Sequence, residues 1–265
     1  MKKFKYLTIL LMALVFAGCD PDNLHNPKDA ATFSVSENKK VIFSPGNLQY
    51  HPKNDKWRFA PNQTDYIGDA NSNIAPDYDG WIDLFGWGTG NNPTNNSTDP
   101  DDYLTFVDWG INKIDNYAPN TWRTLTYDEW DYLLNIRTNA DVLKGIAQVD
   151  GVNGLILLPD SWDASDKVNF KSGFHGNRGR DYYAEYQTIT RDKWSKMKNL
   201  GAVFFPAAGD REGYIINYVQ GSGYYWSSTM EYGDGLFMFL YTDEVIMFYY
   251  NCSVGHSVRL VQDVK

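Results

Sequence analysis

The sequence predicts a domain of the α+β class, in which two short helices lie among antiparallel strands and long ordered loops. Two segments combine a helix N-cap with apolar residues at helical spacing. Two short apolar runs follow glycine and end at proline, which is typical of strands buried on both faces. The last forty residues contain several aromatic-rich strand candidates separated by turns.

Composition narrows the class of protein before any motif is considered. The chain has 265 residues, a formal net charge of −9, two cysteines, 9 Trp, 19 Tyr and 14 Phe. This aromatic content excludes a disordered chain, and two cysteines exclude a disulfide-stabilised scaffold. The negative charge argues against a general binder of phosphate backbones, so we expect no nucleic-acid partner.

Residues 1–18 are predicted to be an export signal. Three lysines precede an apolar run at 6–16 that is too short to span a membrane. Residues 16–19 then read Phe-Ala-Gly-Cys, which resembles the cleavage and lipidation site of bacterial lipoproteins, with Phe where Leu is usual. We therefore predict that Cys19 is the lipid attachment site and that the membrane is a partner. The alternative is an ordinary signal peptide with an incidental cysteine.

Residues 19–31 are predicted to be a tether, because 20–29 contain three acids, two prolines and two asparagines. The early acids Asp20 and Asp22 are either surface-export signals or simply linker residues. Residues 32–265 then form a single domain. The predicted localisation is the cell envelope, with a lipid anchor at the outer membrane and surface exposure of the domain left open.

The helices are predicted from local signals. Thr126 and Glu129 form a capping box that is followed by apolar residues at helical spacing. The second helix begins after Thr190 and can end at Gly201.

Strand candidates lie on both sides of the helices. They are 40–43, 48–50 and 57–59, the apolar runs 154–159 and 201–206, and 223–229, 236–241, 245–250 and 257–261. The last four predict an antiparallel series. Two long loops, 50–80 and 90–102, are expected to be ordered by packing of Trp81, Trp87 and Trp109.

Motifs in the centre and near the end resemble a known family. Residues 122–130 resemble the W-R-L-P-T-x-x-E-W signature of C-type-lectin-like domains related to formylglycine-generating enzymes, but have Thr-Leu where Leu-Pro is usual. Residues 223–229 and 255–261 are similar to the G-x-Y-W-S-S-T and G-x-S-V-R-L-V ending of the major paralogous domain family of bacterial lipoproteins. The resemblance spans 41–261 and implies a C-type-lectin-like fold.

No catalytic residue is predicted, and we expect the protein not to be an enzyme. Formylglycine generation needs redox-active cysteines, but Cys252 is the only one left in the domain once Cys19 is acylated. We expect Cys252 to be a buried small hydrophobe. Asp160, Asp163 and Asp166 are better read as caps and turn residues than as a glycosidase pair.

Calcium is the single cofactor that the sequence leaves open. Asp69, Asn71 and Asn73 place oxygens at positions 1, 3 and 5 of a calcium loop. Ile74 and Gly80 stand where the EF-hand pattern requires Gly and Glu, so an Asx-rich turn is the competing interpretation.

The predicted function is non-catalytic binding of a glycan or a protein at the cell surface. The candidate ligand-binding residues lie in or directly after a glycine-rich loop, where aromatic rings accompany guanidinium groups: Arg178, Arg180, Tyr182, Tyr183 and Tyr186. The second hypothesis is a structural or adhesin component of a surface assembly. The third is an enzyme that acts on polysaccharide.

Overall fold

A computed structural model describes residues 31–163, 168, 170–172, 187–241 and 244–265 of the chain. The strands are β1 (Phe33–Ser36), β2 (Lys39–Phe43), β3 (Leu48–His51), β4 (Lys56–Phe59), β5 (Lys144–Val149), β6 (Val152–Leu157), β7 (Gln187–Ile189), β8 (Val203–Pro206), β9 (Asp210–Glu212), β10 (Ile215–Asn217), β11 (Gly223–Glu231), β12 (Asp234–Leu240), β13 (Val245–Asn251) and β14 (Val261–Asp263). The α-helices in these ranges are α1 (Tyr127–Asp131) and α2 (Arg191–Asn199). The α+β class is confirmed.

The described strands form small sheets rather than one large one. Their orders are β1-β2-β14, β3-β4, β7-β5-β6-β8, β9-β10 and β11-β12-β13. The pairing of β5 with β7 is parallel, and the other pairings between the named strands are antiparallel. The prediction of mostly antiparallel strands beside short helices is therefore confirmed.

Both predicted helices are present and begin at the predicted caps. The Thr126 hydroxyl accepts from the Glu129 backbone N–H at 3.2 Å, and a Glu129 carboxylate oxygen accepts from the Thr126 N–H at 3.0 Å. This reciprocal pair satisfies donors that the first turn would leave free. Helix α1 continues into a π-helical turn, Tyr132–Ile136. Helix α2 follows the Thr190 cap, and Gly201 after it has φ +92°.

The two apolar runs are neighbouring strands of one sheet, as their composition predicts. Strand β6 pairs antiparallel with β8, and all four residues of β8 are buried. The prediction of a strand at 257–261 is wrong except at Val261, which begins β14. The N–H of His256 donates to Phe85 and the N–H of Ser257 donates to Tyr224, so this segment bridges two elements instead of following one partner.

The tryptophans of the long loops pack as predicted. Trp87 and Trp109 are buried in one aromatic cluster, and the Trp87 indole N–H donates to the Ser227 carbonyl at 3.0 Å. Trp81 is half-buried, with the Arg58 guanidinium 3.7 Å from its ring centroid. The Trp87 contact attaches its loop to β11, and the Trp81 contact attaches the preceding loop to β4.

The sheet β11-β12-β13 has two different faces because successive side chains of a strand alternate. Tyr225, Met238 and Met247 are cross-strand partners on the inner face, where they join a hydrophobic core. Trp226, Phe237 and Phe248 are partners on the opposite face, with Tyr224 and Phe239 in the adjacent row. We call this second side the outer face, and it carries the candidate site.

Candidate functional site

A cleft of ≈390 Å³ lies between the outer face of the sheet and the hairpin formed by β9 and β10. Aromatic rings from all three strands of the sheet form one wall, and acidic and amide side chains come from the hairpin. We call it the acidic aromatic cleft, and it is lined by Asp210, Glu212, Asn217, Tyr218, Tyr224, Phe237, Phe239, Phe248, Tyr250, Val254 and His256.

The aromatic wall is a continuous stack. The Tyr224 ring lies 4.9 Å from Phe239 at an interplanar angle of 22°, and 4.9 Å from the His256 ring at 21°. Phe248 contacts Phe239 at a centroid distance of 6.3 Å and is 45% exposed. Packing against neighbours holds these rings in place. The wall therefore offers a rigid apolar platform that solvent can reach.

The acidic side of the cleft depends on a tight hairpin. Asn217 pairs with Asp210 across β9 and β10, and its amide donates to the Asp210 carboxylate at 3.1 Å. Gly209 before the hairpin has φ +78°, and a Cβ there would lie 2.1 Å from the Asn217 carbonyl oxygen. Only glycine allows this approach without displacement of the backbone.

Asp210 and Glu212 point to the same side of β9 because they are two residues apart. Burial raises the pKa of Asp210 to about 6, and the charge of Glu212 adds to this effect. Among the described residues, neither carboxylate forms an ion pair with a Lys, Arg or His side chain. The cleft therefore has negative charge that the described part of the protein does not neutralise.

Arg211, between the two acids, points the other way into the interior. It is fully buried, and its guanidinium donates to the carbonyls of Leu84 and Gly213 at 3.2 and 2.7 Å. Its backbone N–H and carbonyl both bond to Gly255. Arg211 thus attaches the hairpin to the segment that carries His256.

His256 is the most unusual polar group of the cleft. It is 1% exposed and lies 4.1 Å from the Trp226 ring and 4.5 Å from the Phe237 ring. Its Nδ1 has no hydrogen-bond partner among the described residues. Burial, together with the charge of Arg211, lowers the pKa of His256 well below its usual value. The ring is therefore neutral, with one nitrogen that donates and one that accepts.

A second cavity of ≈280 Å³ lies in the long loop region after Trp87. Asparagine, threonine and aspartate residues of the loop line most of it, and Trp87 and Tyr103 are its aromatic residues. It lacks the stacked wall of the acidic aromatic cleft, so we regard it as the weaker candidate.

The predicted ligand-binding and anchoring residues lie outside the described part of the chain. This applies to Cys19 and to the loop residues Arg178, Arg180, Tyr182, Tyr183 and Tyr186. Residues 1–18 and most of the predicted tether 19–31 also lie outside it, so the predictions for these segments and residues stay predictions. Among the described residues, no helix is long and apolar enough to cross a membrane.

The three predicted calcium ligands lie in a 3-10 helix, Gly68–Asn73. The buried amide oxygen of Asn71 already accepts from the backbone N–H groups of Asp83 and Leu84, at 2.8 and 3.2 Å. The Asn73 amide donates to the Ala70 carbonyl, which is a local turn contact. Among the described residues, no group of three or more His, Cys, Asp or Glu side chains could hold a metal ion. Calcium binding by Asp69, Asn71 and Asn73 stays a prediction.

Two further predictions about individual side chains can be compared with the structure. Cys252 is buried, as predicted, and burial raises the pKa of its thiol to about 12, so the thiol stays protonated. Asp160 accepts from the backbone and hydroxyl of Ser34 and pairs with Arg137 at 3.1 Å. Asp163 lies at an exposed position, and Asp166 is outside the described residues.

Sequence reasoning missed Asp210, Glu212 and His256 as site residues. Asp210 and Glu212 stand two apart in a run bounded by Gly209 and Gly213, which is a hairpin signal. Strand alternation in β11 to β13 also separates outer from inner rings. His256 carried no signal, because its position depends on contacts with distant elements.

Comparison with known proteins identifies no relative. No family model, no curated protein and no solved structure matches the chain.

Proposed function

We propose that this protein is a lipid-anchored envelope protein that binds a glycan in the acidic aromatic cleft without catalysing a reaction. The observation that carries the proposal is the stacked, solvent-accessible wall around Tyr224, Phe239 and Phe248. Sugar rings present C–H faces that pack on aromatic rings, and their hydroxyls need a few fixed polar partners. Asp210 and His256 are polar groups of this kind, and both line the cleft.

The proposal includes a C-type-lectin-like fold. Its support is the motif resemblance at 122–130, 223–229 and 255–261, together with the α+β class and the two short helices. Such a fold presents variable loops on a rigid sheet, which suits recognition of different ligands.

A binding role is proposed instead of an enzymatic one because the reactive groups that the sequence suggests, Cys252 and Asp160, have structural roles. The Cys252 thiol is buried and protonated, and Asp160 is held by Ser34 and Arg137. A nucleophilic cysteine needs an accessible, ionised thiol. Asp210 and Glu212 bring two carboxyl groups together in the cleft, as a glycosidase requires, so hydrolysis of a bound glycan is the outcome that would contradict a purely binding role.

The anchor is proposed from the sequence and can be tested separately. Cys19→Ala should abolish lipidation and release the protein from the membrane, since acyl chains provide the attachment. Membrane fractionation with mass spectrometry of the processed N-terminus measures this. A Cys19→Ala variant that stays membrane-bound and fully processed would contradict the anchor.

A role in assembly is the second candidate, and one observation favours it. Strand β13 is at the edge of its sheet as described and carries three exposed aromatics, Phe248, Tyr249 and Tyr250. Exposed edge strands can pair with another chain. Concentration-dependent oligomers of the full-length protein would support this role over glycan binding.

The test of glycan binding is retention of the full-length protein, purified in detergent, on a glycan array. Phe248→Ala should reduce retention at least about tenfold, because it removes an accessible ring of the wall. Tyr232→Asn is the matched control, since Tyr232 is 97% exposed outside the cleft at φ +51°, which Asn tolerates. Tyr182→Ala with Tyr183→Ala tests the predicted loop site in the same assay.

Absence of retention on every glycan would contradict the proposal. Equal loss of retention in Phe248→Ala and Tyr232→Asn would also contradict it, because the cleft would then have no special role.

A further inference from the structure

Building on the proposed glycan binding, we propose that the acidic aromatic cleft selects sugars that carry a free, protonated amine. The ammonium group would lie beside Asp210 and Glu212, and the sugar ring would pack on the wall around Tyr224 and Phe248. The ligand class is amino sugars without an N-acetyl group. The proposal deepens the binding function and names the substrate class of that site.

The charge of the cleft favours a cationic ligand. The cleft contains two carboxylates on one side of β9, and the described residues supply no Lys or Arg partner for either. The nearest guanidinium in sequence, Arg211, is buried behind the strand and bonds to backbone carbonyls. A neutral sugar would leave this charge uncompensated, whereas an ammonium group would pair with it.

The aromatic wall of the cleft also favours a cation. Ring faces are negative, so a cation gains energy over Tyr or Phe that a neutral amide does not. Tyr218, Phe248 and Tyr250 are 64%, 45% and 53% exposed at the cleft, so a ligand can reach them. Acetylation of the amine would remove the charge and forfeit both the carboxylate and the ring interactions.

His256 is a neutral polar group in the wall of the cleft. This side chain lines the cleft, is 1% exposed, and has an Nδ1 without a partner among the described residues. Because the imidazole is neutral, it adds no positive charge to the cleft that would repel an ammonium group, and it suits a sugar hydroxyl, which can both donate and accept.

Binding of an ammonium group in the cleft should depend on pH. Asp210 is faced by Asn217 of β10 and by the titratable groups Glu212, Tyr218, Tyr224, Tyr250 and His256. Burial raises the pKa of Asp210 to about 6, so its charge is lost between pH 7 and pH 5. The pKa of His256 is lowered, so His256 gains no charge to offset this. Binding of an ammonium should therefore weaken at pH 5, although the ligand is fully protonated there.

The experiment is calorimetric titration of the full-length protein in detergent with three probes. These are the β-1,4-linked trimer of glucosamine, the same trimer with every amine acetylated, and a lysine trimer. At pH 7 the glucosamine trimer should bind at least about tenfold more tightly than the acetylated trimer, as loss of a charge-assisted contact predicts. Binding of the glucosamine trimer should fall severalfold at pH 5.

Substitutions in the cleft test whether Asp210 and Glu212 bind the amine. Asp210→Asn and Glu212→Gln should each weaken binding of the glucosamine trimer about tenfold, and should weaken binding of the acetylated trimer much less, because only a neutral hydroxyl contact is lost there. Glu231→Gln is the control, because it removes one negative charge from an exposed position outside the cleft. Circular dichroism of each variant checks that the fold is kept.

The results of these titrations distinguish a failure of amine selection from a failure of glycan binding. Equal affinity for both sugar trimers, with loss of both in Phe248→Ala, would overturn amine selection and keep glycan binding. Tight binding of the lysine trimer without the glucosamine trimer would overturn both and indicate a peptide site. Equal weakening in Glu231→Gln would show a general charge effect and overturn the inference.

Discussion

The two faces of the sheet β11-β12-β13 share one backbone and both bury rings in a hydrophobic core, but of the two only the outer face also borders the acidic aromatic cleft among the described residues. On the inner face Tyr225 is fully buried, and its hydroxyl donates to the Pro206 carbonyl at 2.8 Å. On the outer face the adjacent Tyr224 is half-buried and stacks in the wall of the cleft. Strand alternation sends the neighbouring tyrosines to opposite sides, so Tyr225 belongs to the core and Tyr224 to the proposed binding wall.

The largest loss of stability is expected for substitutions on the inner face of the sheet. Tyr225→Ala should lower the free energy of unfolding by about 3–5 kcal/mol, since it leaves a cavity beside Phe205 and removes a buried hydrogen bond. Tyr225→Phe keeps the ring and should cost about 1 kcal/mol. Denaturant unfolding measures both, and a small loss for Tyr225→Ala would mean that the inner face is not a core.

A smaller change in stability is expected for substitution of Asp210, on the acidic side of the cleft. Because folding raises the pKa of Asp210 from 3.8 to about 6, the folded state holds a proton more tightly there, and stability falls as the pH rises through this window. Burial raises the pKa of Asp83 to about 6 as well. As the pH rises, the wild type therefore loses stability through ionisation of both Asp210 and Asp83. Asp210→Asn should remove the destabilisation that comes from ionisation of Asp210. It should therefore raise the free energy of unfolding at pH 7 by about 1 kcal/mol.

Denaturant unfolding at pH 4 and pH 7 checks this prediction, with Glu231→Gln as the charge-matched control. Identical pH dependence in Asp210→Asn and the wild type would show that the cleft does not perturb the carboxyl. The expected gain in stability is opposite in sign to the expected loss of ligand binding, which is typical of a residue kept for recognition.

The smallest effect on stability is expected at Phe248, the outer ring on which the proposed glycan binding depends most. Phe248→Ala should cost less than about 1 kcal/mol, because the side chain is already 45% exposed. Parallel unfolding curves of Phe248→Ala and Tyr232→Asn would measure this. A cost near that of Tyr225→Ala would place Phe248 in the core and remove the basis for the binding wall.

Local signals explain which parts of the fold could be predicted. The caps at Thr126 and Thr190 and the apolar run before Pro206 act within a few residues, so sequence alone locates α1, α2 and β8. The segment at 257–261 resembles a strand by composition, but its backbone partners lie at Phe85 and Tyr224. Such long-range pairing leaves no trace in a single sequence.

The cleft was harder to predict than the fold for the same reason. Asp210, Tyr224, Phe248 and His256 come from four separate segments that tertiary packing brings together. The sequence did indicate an aromatic surplus that exceeds the needs of a small core. It predicted a binding site in the arginine- and tyrosine-rich segment after residue 172, because charged and aromatic residues are adjacent in sequence there.

The most direct test of the central claim is hydrogen–deuterium exchange of the full-length protein with and without a glycan that it retains. The account predicts that bound glycan slows exchange at 210–218 and 245–256, which line the acidic aromatic cleft. Exchange at 88–105, around the second cavity, should stay unchanged. Protection confined to 88–105 or to 173–186, with none at the cleft, would contradict the claim that the outer face of the sheet is the binding surface.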